Sequence, residues 1–139
     1  MPVMSAPQLL EFLELVFPQS RPDRYRIESL ETRRLVFRYH ANQDDLRPGD
    51  TVSGPTLMAL ADLGMYLALL SEIGPVALAV TTNLNINFLR KPPASELVIE
   101  TLILKLGRQL AVGEVFIRSG DMPDPIAHAT VTYSIPPER

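Results

Sequence analysis

Hydrophobic residues recur with two different periods along the chain, and the change of period separates helices from strands. A capping-box pattern at Ser5 and Gln8 is followed by apolar residues at helical spacing, until Pro18 ends the run. This pattern predicts a short N-terminal helix over about residues 6–17.

A second helix is predicted from Pro55 to about Ser71, because Pro suits a first helical turn and Gly74 follows the run. The run is apolar nearly all round, as in a helix buried on most faces. Asp62 is the one charged residue between Pro55 and Ser71. A buried carboxylate is costly unless it is paired or hydrogen-bonded, so Asp62 is either partnered or used in chemistry.

A period of two dominates most of the remaining chain, as expected for strands with one buried face. Along residues 80–88, Val80, Thr82, Leu84, Ile86 and Phe88 are predicted on one face, with Thr81 and three asparagines on the other. Strands are also predicted for residues 24–30, 35–39, 96–106, 110–118 and 127–135.

Residues 41–53 are predicted to form a polar loop, and its length suggests a functional loop rather than a tight turn. The order of elements is helix, two strands, long buried helix, four strands. Strands segregated around one central helix indicate an α+β fold. The 139 residues are predicted to form a single domain, because no linker or repeat divides the chain.

The composition of the chain argues against several kinds of partner and of catalytic site. A net charge of −3 argues against nucleic acid as a partner, and no apolar stretch is expected to span a membrane. The absence of Cys excludes thiol catalysis and Cys-ligated metals, and two His residues make a His-rich metal site an unfavoured prediction. The N-terminus lacks a basic signal region. We therefore expect a cytoplasmic protein with no metal.

Segment 52–62, VSGPTLMALAD, resembles the start of the central helix in PaaI-like acyl-CoA thioesterases, where His-Gly-Gly precedes an acidic residue. Segment 85–92, NINFLRKP, resembles that family's strand after the helix, and segments 106–108 and 127–133 resemble its later strands. The likeness covers roughly residues 35–135. It implies a hotdog fold, an antiparallel sheet wrapped around one long central helix.

The resemblance implies thioester hydrolysis, with Asp62 as the general base or the nucleophile. Gly54 would supply the backbone N–H that polarises the thioester carbonyl. Thr81 falls where relatives place a Ser or Thr that holds the attacking water, and its neighbour Thr82 would replace it after a one-residue slip in register. No cofactor is implied, and coenzyme A enters as part of the acyl-CoA substrate.

Two departures from the family pattern leave the substrate range open. Ser53 stands where relatives often have His, and Pro55 replaces the second Gly. Arg47 falls near a position where some relatives place Asn or Gln. The remaining substrate-contact candidates are Met58, Arg90 and Lys91.

Gly54 and Asp62 are roughly 12 Å apart along a helix, because each residue rises about 1.5 Å. One thioester carbon does not easily reach both from a single chain. A site using both residues therefore predicts a homodimer, or a homotetramer, with shared active sites.

Two alternatives remain. Ser53 and Pro55 would also suit a non-catalytic hotdog module that binds acyl-CoA. A hotdog dehydratase or hydratase acting on acyl thioesters is the least favoured. Such families normally use a His beside an acid, and neither His40 nor His128 lies on the central helix or on the strand after it.

Overall fold

A computed structural model of the chain describes residues 2–92, 96–120 and 122–137. Its two helices are α1 (Ala6–Val16) and α2 (Gly54–Ile73). Its strands are β1 (Tyr25–Glu31), β2 (Arg34–His40), β3 (Leu46–Arg47), β4 (Thr51–Val52), β5 (Val80–Phe88), β6 (Glu96–Leu106), β7 (Leu110–Ser119) and β8 (Pro125–Ser134).

Six strands form one antiparallel sheet in the order β1-β2-β6-β7-β8-β5. One face of this sheet packs against α2, and twelve of the 20 residues of α2 are buried. The predicted hotdog architecture is therefore confirmed. Along β8, the alternating residues Ala127, Ala129, Val131 and Tyr133 are buried as their period of two predicted.

The helix α2 lies very close to the sheet at a glycine on each side of the contact. A Cβ at Gly64 of α2 would lie 2.6 Å from Thr101 Oγ1 on β6, and a Cβ at Gly113 of β7 would lie 2.5 Å from Met65 Sδ. Side chains at these two positions would push α2 away from the sheet.

The structure corrects the predicted loop over residues 41–53. A capping box at Asn42 starts a short 3₁₀ turn, and β3 pairs with β4 in a small antiparallel hairpin. Short polar turns and two-residue strands carry too little periodicity to be recognised in the sequence. The helix α2 begins one residue before the predicted start, at Gly54.

The predicted faces of β5 are wrong at its N-terminal end. The pairing of β5 with β8 shifts by one residue between Thr81 and Asn83, which is a β-bulge. Thr81 therefore shares the helix-facing side with Leu84 and Ile86, whereas Thr82 is exposed. A prediction from a period of two holds only for a regular strand, so it misses one extra residue.

The helix α2 is long and apolar enough, by length and composition, to cross a bilayer, contrary to the expectation from the sequence. Its mean hydropathy is 1.5, and 67% of that stretch is buried inside the protein. A core helix passes the same test, so this helix is weak support for a membrane span.

Candidate active site

The carboxylate of Asp62 is held by one side chain from each of two neighbouring strands. Asp62 Oδ1 accepts a hydrogen bond from Thr81 Oγ1 at 2.5 Å and another from the Tyr133 hydroxyl at 2.9 Å. Both distances are short for hydrogen bonds between oxygen atoms. The one acid in the apolar run is thus both partnered and only partly buried.

The β-bulge explains how Thr81 reaches Asp62. Thr81 lies directly opposite Tyr133 in the β5–β8 pairing, and Tyr133 faces α2. In a regular strand the alternation from Leu84 would place Thr82 inward and Thr81 outward. The extra residue reverses this order and directs the Thr81 hydroxyl at the carboxylate.

Tyr133 was not among the residues singled out from the sequence. Its side chain is only 3% exposed, and burial, reinforced by the charge of Asp62, raises the pKa of its hydroxyl far above the ordinary value. Tyr133 therefore stays protonated and donates its hydrogen bond at any physiological pH. The available signal was a Tyr on the inward face of the last strand, since a buried tyrosine hydroxyl needs a partner.

A cavity of about 750 Å³ opens beside Asp62. This volume lies within the range typical of pockets for small organic ligands. Within the described residues, no protein hydrogen bond occupies Asp62 Oδ2, so this oxygen is free to meet a ligand or water. Apolar side chains form much of the wall: Val16, Phe17, Ala59, Leu60, Leu63, Ala77, Leu78, Ala79 and Val80.

A polar cluster forms another part of the cavity wall. The Tyr39 hydroxyl donates to the buried Asp45 Oδ2 at 2.6 Å, and an Arg24 nitrogen lies 3.5 Å from the same hydroxyl. Tyr25 donates to the carbonyl of Ser20, and burial, followed by the neighbouring Tyr39, raises the pKa of Tyr25 to about 12. The hydroxyls of both tyrosines are thus already bonded within the protein.

The start of α2 has the features of an anion-binding helix N-terminus. Ser53 is the N-cap, and its Oγ accepts from the backbone N–H of Thr56 at 3.3 Å. Gly54 follows as the first helical residue, where an N–H has no acceptor within the helix. The Phe88 ring covers this glycine, 3.4 Å from the position of a Cβ. Pro55 is exposed and supplies no N–H.

Within the part of the chain that the structure describes, none of the other predicted contact residues has a hydrogen bond to the Asp62 carboxylate. Met58 is exposed on α2 but does not line the cavity. Arg47 is exposed on β3, and Lys91 is exposed beyond β5. Arg90 donates to the carbonyl of Pro125 at 2.6 Å. Thr82 donates to the carbonyl of Thr132 at 3.3 Å instead of contacting the carboxylate.

Among residues 2–92, 96–120 and 122–137, no group of three or more His, Cys, Asp or Glu residues is arranged to hold a metal ion. His128 pairs with Glu114 at 3.0 Å, and His40 is exposed. Neither imidazole lines the cavity beside Asp62.

Comparison with known proteins identifies the family. The model of the thioesterase superfamily matches residues 49–126, a segment that includes α2, Asp62 and β5. The chain belongs to the thioesterase superfamily. This membership confirms the predictions of a PaaI-like hotdog protein and of a thioester hydrolase. Among curated proteins, none matches the chain.

Solved structures agree with this assignment. The chain is 43% identical to a candidate thioesterase from Silicibacter sp. TM1040, covering 99% of this chain and 95% of that one, with a TM-score of 0.89. It shares the fold of a hypothetical thioesterase with coenzyme A from Streptococcus pneumoniae, at 20% identity, coverage of 95% and 97%, and a TM-score of 0.75. A variant of the phenylacetic acid degradation protein PaaI from Thermus thermophilus is also similar, at 23% identity, coverage of 91% and 99%, and a TM-score of 0.72.

Proposed function

We propose that this thioesterase hydrolyses acyl-CoA, with Asp62 as the working carboxylate. The observation that carries the proposal is a carboxylate with one oxygen held by Thr81 and Tyr133 and the other free beside a cavity of about 750 Å³. The coenzyme A in the S. pneumoniae structure supports the same class of substrate. No metal or other cofactor takes part in the proposed reaction.

The reaction replaces a C–S bond by a C–O bond. In the general-base route, Asp62 Oδ2 takes a proton from water while the water oxygen attacks the thioester carbon. Thr81 Oγ1 still has a lone pair that can accept from this water. The Gly54 N–H stabilises the oxyanion, and its collapse expels the thiolate, which takes up a proton. In the alternative route, Asp62 attacks the carbon directly, the C–S bond breaks and the thiolate leaves and takes up a proton. Water then cleaves the resulting anhydride and restores the Asp62 carboxyl group.

A site that uses Gly54 and Asp62 together requires two chains in this proposal. The strand β5 is an outer strand of the sheet, and among the described residues only β8 pairs with it. Large apolar side chains are exposed along it and beside it, with Leu78 80%, Val80 56%, Phe88 51% and Leu89 50% exposed. An outer strand with exposed apolar side chains at its ends favours pairing with a second copy. We propose a homodimer, or a homotetramer built from such dimers, with shared sites.

Thiol release from short, medium, long and aryl acyl-CoAs tests the hydrolysis. We expect wild type to release coenzyme A and Asp62→Asn to be slower by about a hundredfold or more, the usual contribution of a general base. Both proteins should have the same circular dichroism spectrum and oligomeric state. Equal rates in the two proteins would remove Asp62 from the chemistry. Acyl-CoA binding without any thiol release would favour the non-catalytic module.

The shared site has its own test. Asp62→Asn chains and Gly54→Pro chains, each with a different affinity tag, are co-expressed and the mixed dimer is purified over both tags. Pro is tolerated at the first helical position and removes the Gly54 N–H. A two-chain site leaves one of the two sites intact, so the mixed dimer should have about half of the wild-type activity. Each homodimer variant serves as the inactive control. A mixed dimer as inactive as the two variants would place the whole site within one chain.

A further inference from the structure

We propose that Tyr133 is a positioning residue for the hydrolysis, because its hydroxyl fixes Asp62 Oδ1 and so holds Oδ2 toward the reacting water. This inference rests on the proposed function of Asp62. Tyr133 lies seven residues beyond the end of the segment that matches the superfamily model. The role follows from the geometry of this chain.

Two donors on one oxygen restrict the rotation of the carboxylate. Thr81 and Tyr133 reach Oδ1 from adjacent strands, at 2.5 Å and 2.9 Å. The carboxylate of an Asp turns broadly about its last torsion when nothing holds it. Fixing Oδ1 also fixes Oδ2, since both oxygens belong to one planar group.

Packing holds the second donor, Tyr133, in place. Its oxygen is attached to a ring that lies within the core. The Tyr133 ring is almost fully buried, and its centroid lies 6.0 Å from that of Tyr66. Tyr133 also approaches the backbone carbonyl of Asp62 at 3.3 Å, which ties β8 to this turn of α2.

Other titratable groups surround the same cavity without a hydrogen bond to Asp62. They are Tyr66 on α2 and, outside that helix, Arg21, Arg24, Tyr25, Tyr39, Asp44 and Asp45. Tyr66 donates instead to the carbonyl of Ala77 at 3.1 Å. Tyr66 is thus a matched control, a buried tyrosine in the same cavity with a hydroxyl that serves another acceptor.

The test compares the pH dependence of kcat/KM in wild type, Tyr133→Phe and Tyr66→Phe. Because a donor favours the charged form of a carboxylate, loss of the Tyr133 hydroxyl should move the acid limb of this pH profile to higher pH. We expect kcat to fall about tenfold, as for a lost hydrogen bond to a charged group, with KM changed by less than about twofold. Tyr66→Phe should leave the acid limb in place.

A double-variant cycle adds a second readout. Tyr133→Phe and Thr81→Val remove the two donors to one oxygen, so their effects on kcat should not multiply. The Thr81→Ser variant keeps a hydroxyl and should retain the wild-type acid limb.

Several results would overturn the positioning role. One is a wild-type kcat and acid limb in Tyr133→Phe while Asp62→Asn is inactive; the proposed function would then stand without this inference. Effects of Tyr133→Phe and Thr81→Val on kcat that multiply in the double variant would also refute the positioning role. Loss of folding in Tyr133→Phe, with Tyr66→Phe folded, would make the hydroxyl a structural group. Full activity in Asp62→Asn would instead refute the proposed function itself.

Discussion

The contact between α2 and the sheet predicts that Gly64→Ala destabilises the protein, although Ala is the better helix former. An added Cβ would lie 2.6 Å from Thr101 Oγ1 and 3.1 Å from Ile99 Cγ2 on β6. Thr101 and Ile99 are fully buried, so neither can move into solvent. Gly64 lies two residues after Asp62, and a shift of α2 there would also disturb the Asp62 carboxylate.

Two opposing contributions set the change in the free energy of unfolding caused by Gly64→Ala. Replacing Gly by Ala inside a helix stabilises it by about 1 kcal/mol. Inserting a methyl into a tightly packed core costs about 1–3 kcal/mol, and the 2.6 Å approach favours the upper part of that range. We therefore expect a net loss of about 1–2 kcal/mol in the free energy of unfolding.

Urea denaturation followed by circular dichroism measures this loss, at one protein concentration because association adds apparent stability. The Thr101→Ala background provides the control, since it removes the closest atom that the new methyl meets. In that background the cost of Gly64→Ala should be smaller by about 1 kcal/mol. A Gly64→Ala protein as stable as wild type, or more stable, would refute the packing argument.

Two further predictions concern the site and its surroundings. In thiol-release assays, Thr81→Val should lower kcat about tenfold or more, whereas the kcat of Thr82→Val should stay within about twofold of wild type. The reverse order would mean that the bulge does not direct Thr81 at Asp62. The raised pKa of Tyr25, about 12, stabilises the fold below its unfolded pKa near 10, and this stability is lost as the pH rises toward 12. Urea midpoints at pH 9 and pH 11 should therefore differ less in Tyr25→Phe than in wild type, and an equal difference would contradict this linkage.

Most helices and strands could be predicted from the sequence because their apolar patterns are long. The residues from Glu96 to Leu106 show a period of two, and the observed β6 has these bounds. Residues 41–53 were predicted as a loop and instead contain a 3₁₀ turn and a two-stranded hairpin. Such short elements are held by local caps, which leave no periodic signal.

The candidate site was only partly predictable. Asp62 stood out because an acid in an apolar helix demands a partner. The choice between Thr81 and Thr82 stayed open, since either threonine suits a strand. Tyr133 was assigned to the core, and its hydroxyl contact depends on a residue 71 positions away in the chain.

The sequence by itself determined the period of each long element, the isolated acid in the central helix and the resemblance to a thioesterase family. These features arise from neighbouring residues, whose spacing can be read along the chain. Only the tertiary structure decided that Thr81 and Tyr133 meet at one oxygen of Asp62. That contact depends on a single extra residue in β5 and on its register with β8, which are set when strands distant in sequence pair around the helix.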